Sequence, residues 1–158
     1  MLYSIMNINR FTCSYKQLNT ILKKLNSQNM KPILDNINEI YNPNNFRNIK
    51  KSIIDYPNNY FAIKLSSLGI QKIPDNKLYQ KLDTLSNLAI KNNSKILIDA
   101  ENHTIQDQIY DITNNLIAKY NKDEVNIYKT YQMYRWDTYD ILKKDLEKYN
   151  NLGIKLVR

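Results

Sequence analysis

Short apolar runs alternate along this chain with helix-patterned segments, and that alternation limits the possible folds more than any other feature. Tyr60-Phe61-Ala62-Ile63-Lys64-Leu65 is apolar, aromatic and β-branched, bounded by Pro57-Asn58-Asn59 and by Gly69, and reads as a buried strand. Leu78, Leu82, Leu85 and Ala89 follow at helical spacing. The unit then repeats. Lys95-Ile96-Leu97-Ile98-Asp99 is an apolar run ending in a carboxylate, and Ile105, Ile109, Ile112 and Leu116 line one face of the next helix, with Thr104 and Asp107 as an expected capping box. Val125 to Thr130 reads as a strand, and Tyr139, Leu142, Leu146 and Tyr149 as the stripe of a helix capped by Asp137. Gly153 is expected to supply a left-handed turn before a final strand from Ile154.

The earlier chain fits the same scheme. Ser14 and Gln17 form a capping box before Leu18, Ile21, Leu22 and Leu25, and Pro32 to Leu34 is a short extended candidate. Asn42-Pro43-Asn44-Asn45 then breaks the chain before a helix carrying Phe46, Ile49 and Ile53. Strands are expected near residues 31–34, 60–66, 95–99, 125–131 and 154–158. Strand and helix alternating about every 30 residues is the signature of a parallel sheet in the α/β class. Periodicity leaves two architectures open, a doubly wound sheet and part of a (β/α)8 TIM-type barrel. No G-x-G-x-x-G or G-x-x-x-x-G-K follows any strand, so a nucleotide-cradling loop of those kinds is missing. Polar residues instead fall at or near strand ends (Lys64, Asp99 and Gln132), where barrel enzymes keep their chemistry.

Composition excludes several classes. The formal charge of +8 comes from lysines scattered singly or in pairs, with no long basic run and no Lys/Arg-Gly-aromatic motif, so no nucleic-acid partner is expected. The single Cys13 cannot form an internal disulfide, and no Cys/His cluster has metal-ligand spacing. No apolar run approaches the roughly 18 residues of a transmembrane segment. His103 is expected in a solvated loop. Met1 to Lys16 carries no acidic residue and has the look of a weak mitochondrial presequence, which leaves the compartment open between cytoplasm and mitochondrion.

Four segments carry a resemblance, in order along the chain: Ala62-Ile63-Lys64-Leu65-Ser66-Ser67-Leu68-Gly69, Ile98-Asp99-Ala100-Glu101, Thr130-Tyr131-Gln132-Met133-Tyr134, and Gly153-Ile154-Lys155-Leu156-Val157-Arg158. They resemble the I-K-L-[ST]-A-L-G, I-D-A-E, T-Y-Q-x-Y and G-x-K-L-V-R motifs of the proline dehydrogenase family. The resemblance covers residues 18–158, weakly before Tyr60, and leaves residues 1–17 as an N-terminal extension.

The resemblance implies a (β/α)8 barrel that holds FAD over its C-terminal mouth and oxidises L-proline to 1-pyrroline-5-carboxylate by hydride transfer to the flavin, with the electrons leaving to a quinone. It implies that Lys64 pairs with the substrate carboxylate and that Asp99 and Ala100 lie beside flavin and substrate. It likewise implies that Gln132 hydrogen-bonds the isoalloxazine ring and that Lys155 places a cation near flavin N5. Each residue also has a plainer reading. Lys64 could snorkel from a strand end, Asp99 could cap a helix, Gln132 could be a satisfied rim residue, and Tyr131 and Tyr134 could simply pack.

Ser67 stands where the family usually has alanine. The family pattern continues past the equivalent of Arg158 with Gly-Ala-Tyr, further strands and a late helix bearing paired arginines. The expectation is therefore a partial barrel, inactive alone and completed by a second polypeptide or self-associating. The alternative is a non-catalytic half-barrel with a structural or interaction role.

Overall fold

The computed structural model describes residues 12–36 and 40–158, so residues 1–11 of the expected presequence lie outside the described residues. The chain divides into two compact units, residues 1–32 and 33–158. In the first, α1 spans Tyr15–Ser27 and crosses the expected boundary between residues 17 and 18. Its capping box forms: the Gln17 side-chain oxygen accepts from the Ser14 backbone N–H at 3.1 Å.

In the second unit the elements follow as β1 (Ile33–Asp35), α2 (Pro43–Asp55), β2 (Tyr60–Ile63), α3 (Leu65–Leu68), α4 (Asp75–Lys91), β3 (Lys95–Ile98), α5 (His103–Tyr120), β4 (Ile127–Gln132), α6 (Thr138–Lys148) and β5 (Gly153–Val157). The sheet order is β1-β2-β3-β4-β5 and every pairing is parallel. Each new strand adds beside the last, with no reversal. A doubly wound sheet reverses its strand order to put helices on both faces. Without a reversal, right-handed crossovers place the helices on one face, as in a barrel. The chain is thus an α/β partial barrel.

Side chains alternate between the two faces along each strand. Phe61, Ile63, Ile96, Ile98 and Ile127 are buried on the helix-covered face and form most of the core with Leu78, Leu82 and Leu85 of α4 and Ile109 and Leu116 of α5. The other face carries Ala62, Leu97, Tyr128 and Gly153, which are register partners across β2 to β5.

Several local expectations are corrected. The segment after Ile63 does not continue as strand to residue 66; it turns into α3, with Lys64 as N-cap and Gly69 as a left-handed C-cap at φ +106°. A Cβ at Gly69 would stand 2.8 Å from the Tyr41 ring, so both conformation and space call for glycine there. α5 begins at His103, because the Asn102 side chain accepts from the Thr104 N–H at 3.1 Å and starts the helix before the expected Thr104–Asp107 box. His103 is exposed, on a helix and not a loop. Asp137 does hold the N-cap position of α6, but its carboxylate pairs with the Arg135 guanidinium at 2.7 Å and makes no capping bond. Gly153 has no left-handed turn. It opens β5, and a Cβ there would lie 2.5 Å from Val125 Cγ1 and 2.7 Å from Tyr128 Cγ, so its role is close strand approach.

Two of the four residues of the α6 stripe also face outward, while Leu142 and Tyr149 are half-buried. Tyr139 and Leu146 are 68% and 56% exposed, whereas Thr138 and Asp145 are buried. Asp145 is inward because β4 presents a charge to the helices. Lys129, only 1% exposed, donates from Nζ to Asp145 Oδ2 at 2.6 Å and to Asn114 Oδ1 at 2.9 Å, and the Tyr131 hydroxyl donates to the same Asp145 oxygen at 2.8 Å. The ammonium also lies 4.4 Å from the centre of the Tyr110 ring. Burial pushes the pKa of Lys129 below its ordinary value, and Asp145 opposes that shift.

This cluster pins α5 and α6 to β4, and it yields a first prediction. Lys129→Met leaves the Asp145 carboxylate buried without its cation and should destabilise the chain by about 3–5 kcal/mol. Adding Asp145→Asn removes both charges, keeps an acceptor for Tyr131, and should recover most of that loss. Urea unfolding midpoints of the three proteins check this; a neutral single variant would show that the pair is not the pin.

Candidate functional site

The parallel register decides which polar side chains meet. Ile63, Ile98, Lys129 and Ile154 are partners across four strands and face the helices. The next position along each strand therefore faces the opposite side, at the C-terminal edge: Lys64, Asp99, Thr130 and Lys155. Gln132 and Val157 follow one layer further out, themselves register partners.

The structure joins two of the expected site residues directly. Lys155 Nζ donates to Asp99 Oδ1 at 2.5 Å, across the intervening β4. The Asp99 backbone N–H extends the ladder by donating to the Ile63 carbonyl at 2.9 Å, which holds this carboxylate at the sheet edge. Ala100 follows it and is half-buried. Lys64 is turned toward β1, its Nζ 3.8 Å from Asp35 Oδ2. Gln132 donates from Nε2 to the Glu101 carbonyl at 2.8 Å, which fixes its amide orientation and leaves Oε1 buried with no partner among the described residues.

Glu101 was legible only as part of a motif, yet it organises this edge. Its carboxylate accepts from the Ser66 N–H at 2.9 Å, satisfying a free donor in the first turn of α3. Its own N–H donates to Gln106 Oε1 at 2.7 Å, and its carbonyl takes the Gln132 amide. The chain after β3 is thereby tied to the ends of β2 and β4. The Gln132 carbonyl in turn accepts from the Thr138 hydroxyl at 2.7 Å, which anchors the start of α6 to the same edge.

Below this polar layer the same face is aromatic. The Tyr60 and Tyr128 rings meet edge to face, centroids 5.8 Å apart, on either side of β3. Burial first, and the neighbouring Tyr60 hydroxyl second, push Tyr128 up to about 12. A separate shallow groove between α5 and α6, lined by Tyr110, Asn114, Lys129 and Lys144, lies on the helix side of β4, away from Asp99 and Lys155. Among the described residues no cluster of His, Cys, Asp and Glu could hold a metal ion, and Cys13 is exposed.

The family model for proline dehydrogenase matches residues 7–158. The chain belongs to the proline dehydrogenase family. Mitochondrial proline dehydrogenase 1 of Dictyostelium discoideum is 35% identical over 100 residues, 60% of this chain and 17% of that protein. The human mitochondrial proline dehydrogenase 1 is 31% identical over 86 residues, 52% of this chain and 14% of that protein. Among solved structures, proline utilization A (PutA) from Bdellovibrio bacteriovorus, inactivated by N-propargylglycine, superposes with a TM-score of 0.72 at 14% identity, covering 91% of this chain and 19% of that one. That likeness confirms the barrel-type fold. The match thus spans less than a fifth of each of these relatives' length.

The aromatic layer makes a pH prediction. A folded-state pKa raised from 10 to about 12 means that the native state holds the Tyr128 proton more tightly than the unfolded chain does. Tyr128 therefore adds stability that is fully present below pH 10 and is lost as pH rises from about 10 to 12. Burial also raises Tyr110, Tyr120 and Tyr131, so they act in the same direction. Tyrosinate absorbance at 295 nm should lag behind that of the urea-unfolded chain, and Tyr60→Phe should bring part of the signal to lower pH. Coincident native and unfolded titrations would contradict this account.

Proposed function

We propose that this chain supplies the first five strands of a flavin-dependent proline-oxidising site. The observation that supports it best is that Asp99, Gln132 and Lys155 converge on one face at one sheet edge, with the Gln132 Oε1 acceptor buried and without a partner among the described residues. That acceptor and the adjacent Lys155 cation suit FAD, whose ring offers a hydrogen-bond donor and accumulates negative charge on reduction. Bound there, FAD would supply the acceptor for a hydride from L-proline.

The chain's own residues have these proposed tasks. Gln132 holds the ring edge by hydrogen bonding, and Ala100 with Asp99 forms the wall beside it. Lys155 stabilises the negative charge that develops there. Lys64, on the neighbouring strand, pairs with the proline carboxylate as a point charge, exchanging its long contact with Asp35 for a closer one. The product would be 1-pyrroline-5-carboxylate. The barrel domain is taken as residues 18–158 following an extension of 1–17. By analogy with the mitochondrial relatives, mitochondrial placement goes with this reading; no described helix is long and apolar enough to cross a membrane.

A (β/α)8 barrel closes with eight strands. Among the described residues five are present, and there β5 pairs with β4 alone. Its completion therefore falls to strands beyond these five, in the same protein or in a second polypeptide. A second reading, a half-barrel that acts by self-association without catalysis, draws on the exposure of Leu156 on β5 and of Tyr139 and Leu146 on α6.

These readings part in a simple experiment. Residues 1–158 alone should remain colourless with FAD and show no proline-dependent dye reduction. Assembly with strands six to eight should give a yellow protein that reduces the dye. In that assembly, Lys64→Met should raise KM for proline about tenfold or more, the scale of one lost charge-assisted hydrogen bond, and leave flavin content unchanged. Lys155→Met should instead lower kcat. An assembled protein that binds no FAD, or that is indifferent to both substitutions, would leave only the self-association reading.

A further inference from the structure

Thr130 lies in β4 between the two members of the Lys155–Asp99 pair. Its Cα partner on β5 is Lys155, and the pairing of Ile98 with Lys129 sets Asp99, the residue just after β3, opposite it. All three side chains face the same side, so the ion pair spans the strand directly over Thr130. The residue is 3% exposed, and its hydroxyl has no hydrogen-bond partner among the described residues. Valine would fill the same space and favours strands at least as well. A buried hydroxyl left without a partner costs free energy, so in this closed arrangement Thr130 is the worse residue.

The reason lies in what happens when the pair opens. Asp99 is 8% exposed and cannot draw fully on water if its cation leaves. Lys155 is the mobile member: its side chain is about twice as exposed as that of Asp99, and its long stem can swing outward. Under the proposed function, on which this step rests, the Lys155 ammonium turns toward the ligand and Asp99 loses its partner. Two buried side-chain atoms of β4 on this face have no hydrogen-bond partner among the described residues, Thr130 Oγ1 and Gln132 Oε1. Of these two atoms only the hydroxyl can donate to a carboxylate, because Gln132 Oε1 is an acceptor; the Gln132 Nε2 is already anchored through one of its hydrogens to the Glu101 carbonyl.

We propose that the Thr130 hydroxyl is the reserve hydrogen-bond donor of Asp99, taking the vacated carboxylate oxygen when Lys155 is drawn to a ligand. Thr130 is then a positioning residue. It keeps Asp99 fixed while Lys155 changes partner, and no proton leaves either group.

A double-mutant cycle on the unliganded 158-residue chain tests this without any cofactor. Lys155→Met mimics the departure of the cation. In the parent background Thr130→Val should leave the unfolding equilibrium unchanged or shift it slightly toward the folded state. In the Lys155→Met background the same change should raise the unfolding constant about tenfold, the scale of a hydrogen bond to a charged group, and Thr130→Ser should be close to silent. Lys155→Gln provides the same cycle should Lys155→Met fail to fold. Additive effects in both backgrounds would overturn the proposal, as would coupling of Thr130→Val to Asp99→Asn with none to Lys155→Met, since the hydroxyl would then serve the lysine. The FAD experiment remains separate. Coupling in a protein whose assembled form binds no FAD would uphold the exchange of partners and reject the flavin as what draws Lys155 away.

Discussion

Every strand of the sheet runs the same way and pairs with its predecessor in the chain, and from this constraint the site follows. Parallel strands share one C-terminal edge, so residues far apart in sequence reach the same layer if each stands one step beyond the last helix-facing partner of its strand. Lys64, Asp99, Thr130 and Lys155 meet that condition. A slip of one residue in any single strand would turn its polar side chain to the helices and an isoleucine or tyrosine to the site. Steric detail at β5 helps to hold the register, since Gly153 lies so close to Val125 and Tyr128 that no side chain fits.

Two lysine–aspartate pairs stand on opposite faces of β4, and their surroundings assign them different work. Lys129 and Asp145 are buried, with Asn114 and Tyr131 completing their hydrogen bonds. Such a pair has been removed from water on both sides, and its value is specificity: it makes α6 dock through Asp145 and α5 through Asn114. Lys155 and Asp99 are partly wet, and the Lys155 ammonium has donors to spare. A pair in that setting can exchange partners at modest cost, because water and a neighbouring hydroxyl cushion the change. The same two residue types thus give a fixed joint on one face and an adjustable one on the other.

Much of this was legible in the sequence because it rests on local rules. Apolar runs of four to six residues, capping residues and Gly/Pro punctuation placed all five strands to within a few residues, and the polar residues at the strand ends fall on the edge where the candidate site lies. The reading failed where a tertiary contact overrode a local preference. Residues 64–66 look like strand, but Glu101, far along the chain, caps the turn that starts there. Thr104 looks like a cap, but Asn102 takes the task two residues earlier. Lys129 sits inside a strand and gave no sign of its burial, because its partner lies on a helix whose own hydrophobic pattern pointed elsewhere.

The orientation of α6 shows how one buried charge propagates. Thr138 and Asp145 are seven residues apart, about two turns, so they share a helix face. Thr138 is needed at the Gln132 carbonyl and Asp145 at Lys129, and together they fix the face that meets β4. Ile141 and Leu142 can then be only half-buried, and Tyr139 and Leu146 must point away. On β5, Ile154 and Leu156 project to the helix side and are likewise exposed. Apolar residues of both α6 and β5 are therefore exposed in this sheet. On α6 that exposure is a consequence of satisfying polar groups first: a misplaced apolar residue loses part of its burial energy, whereas an unpaired buried charge costs several times more.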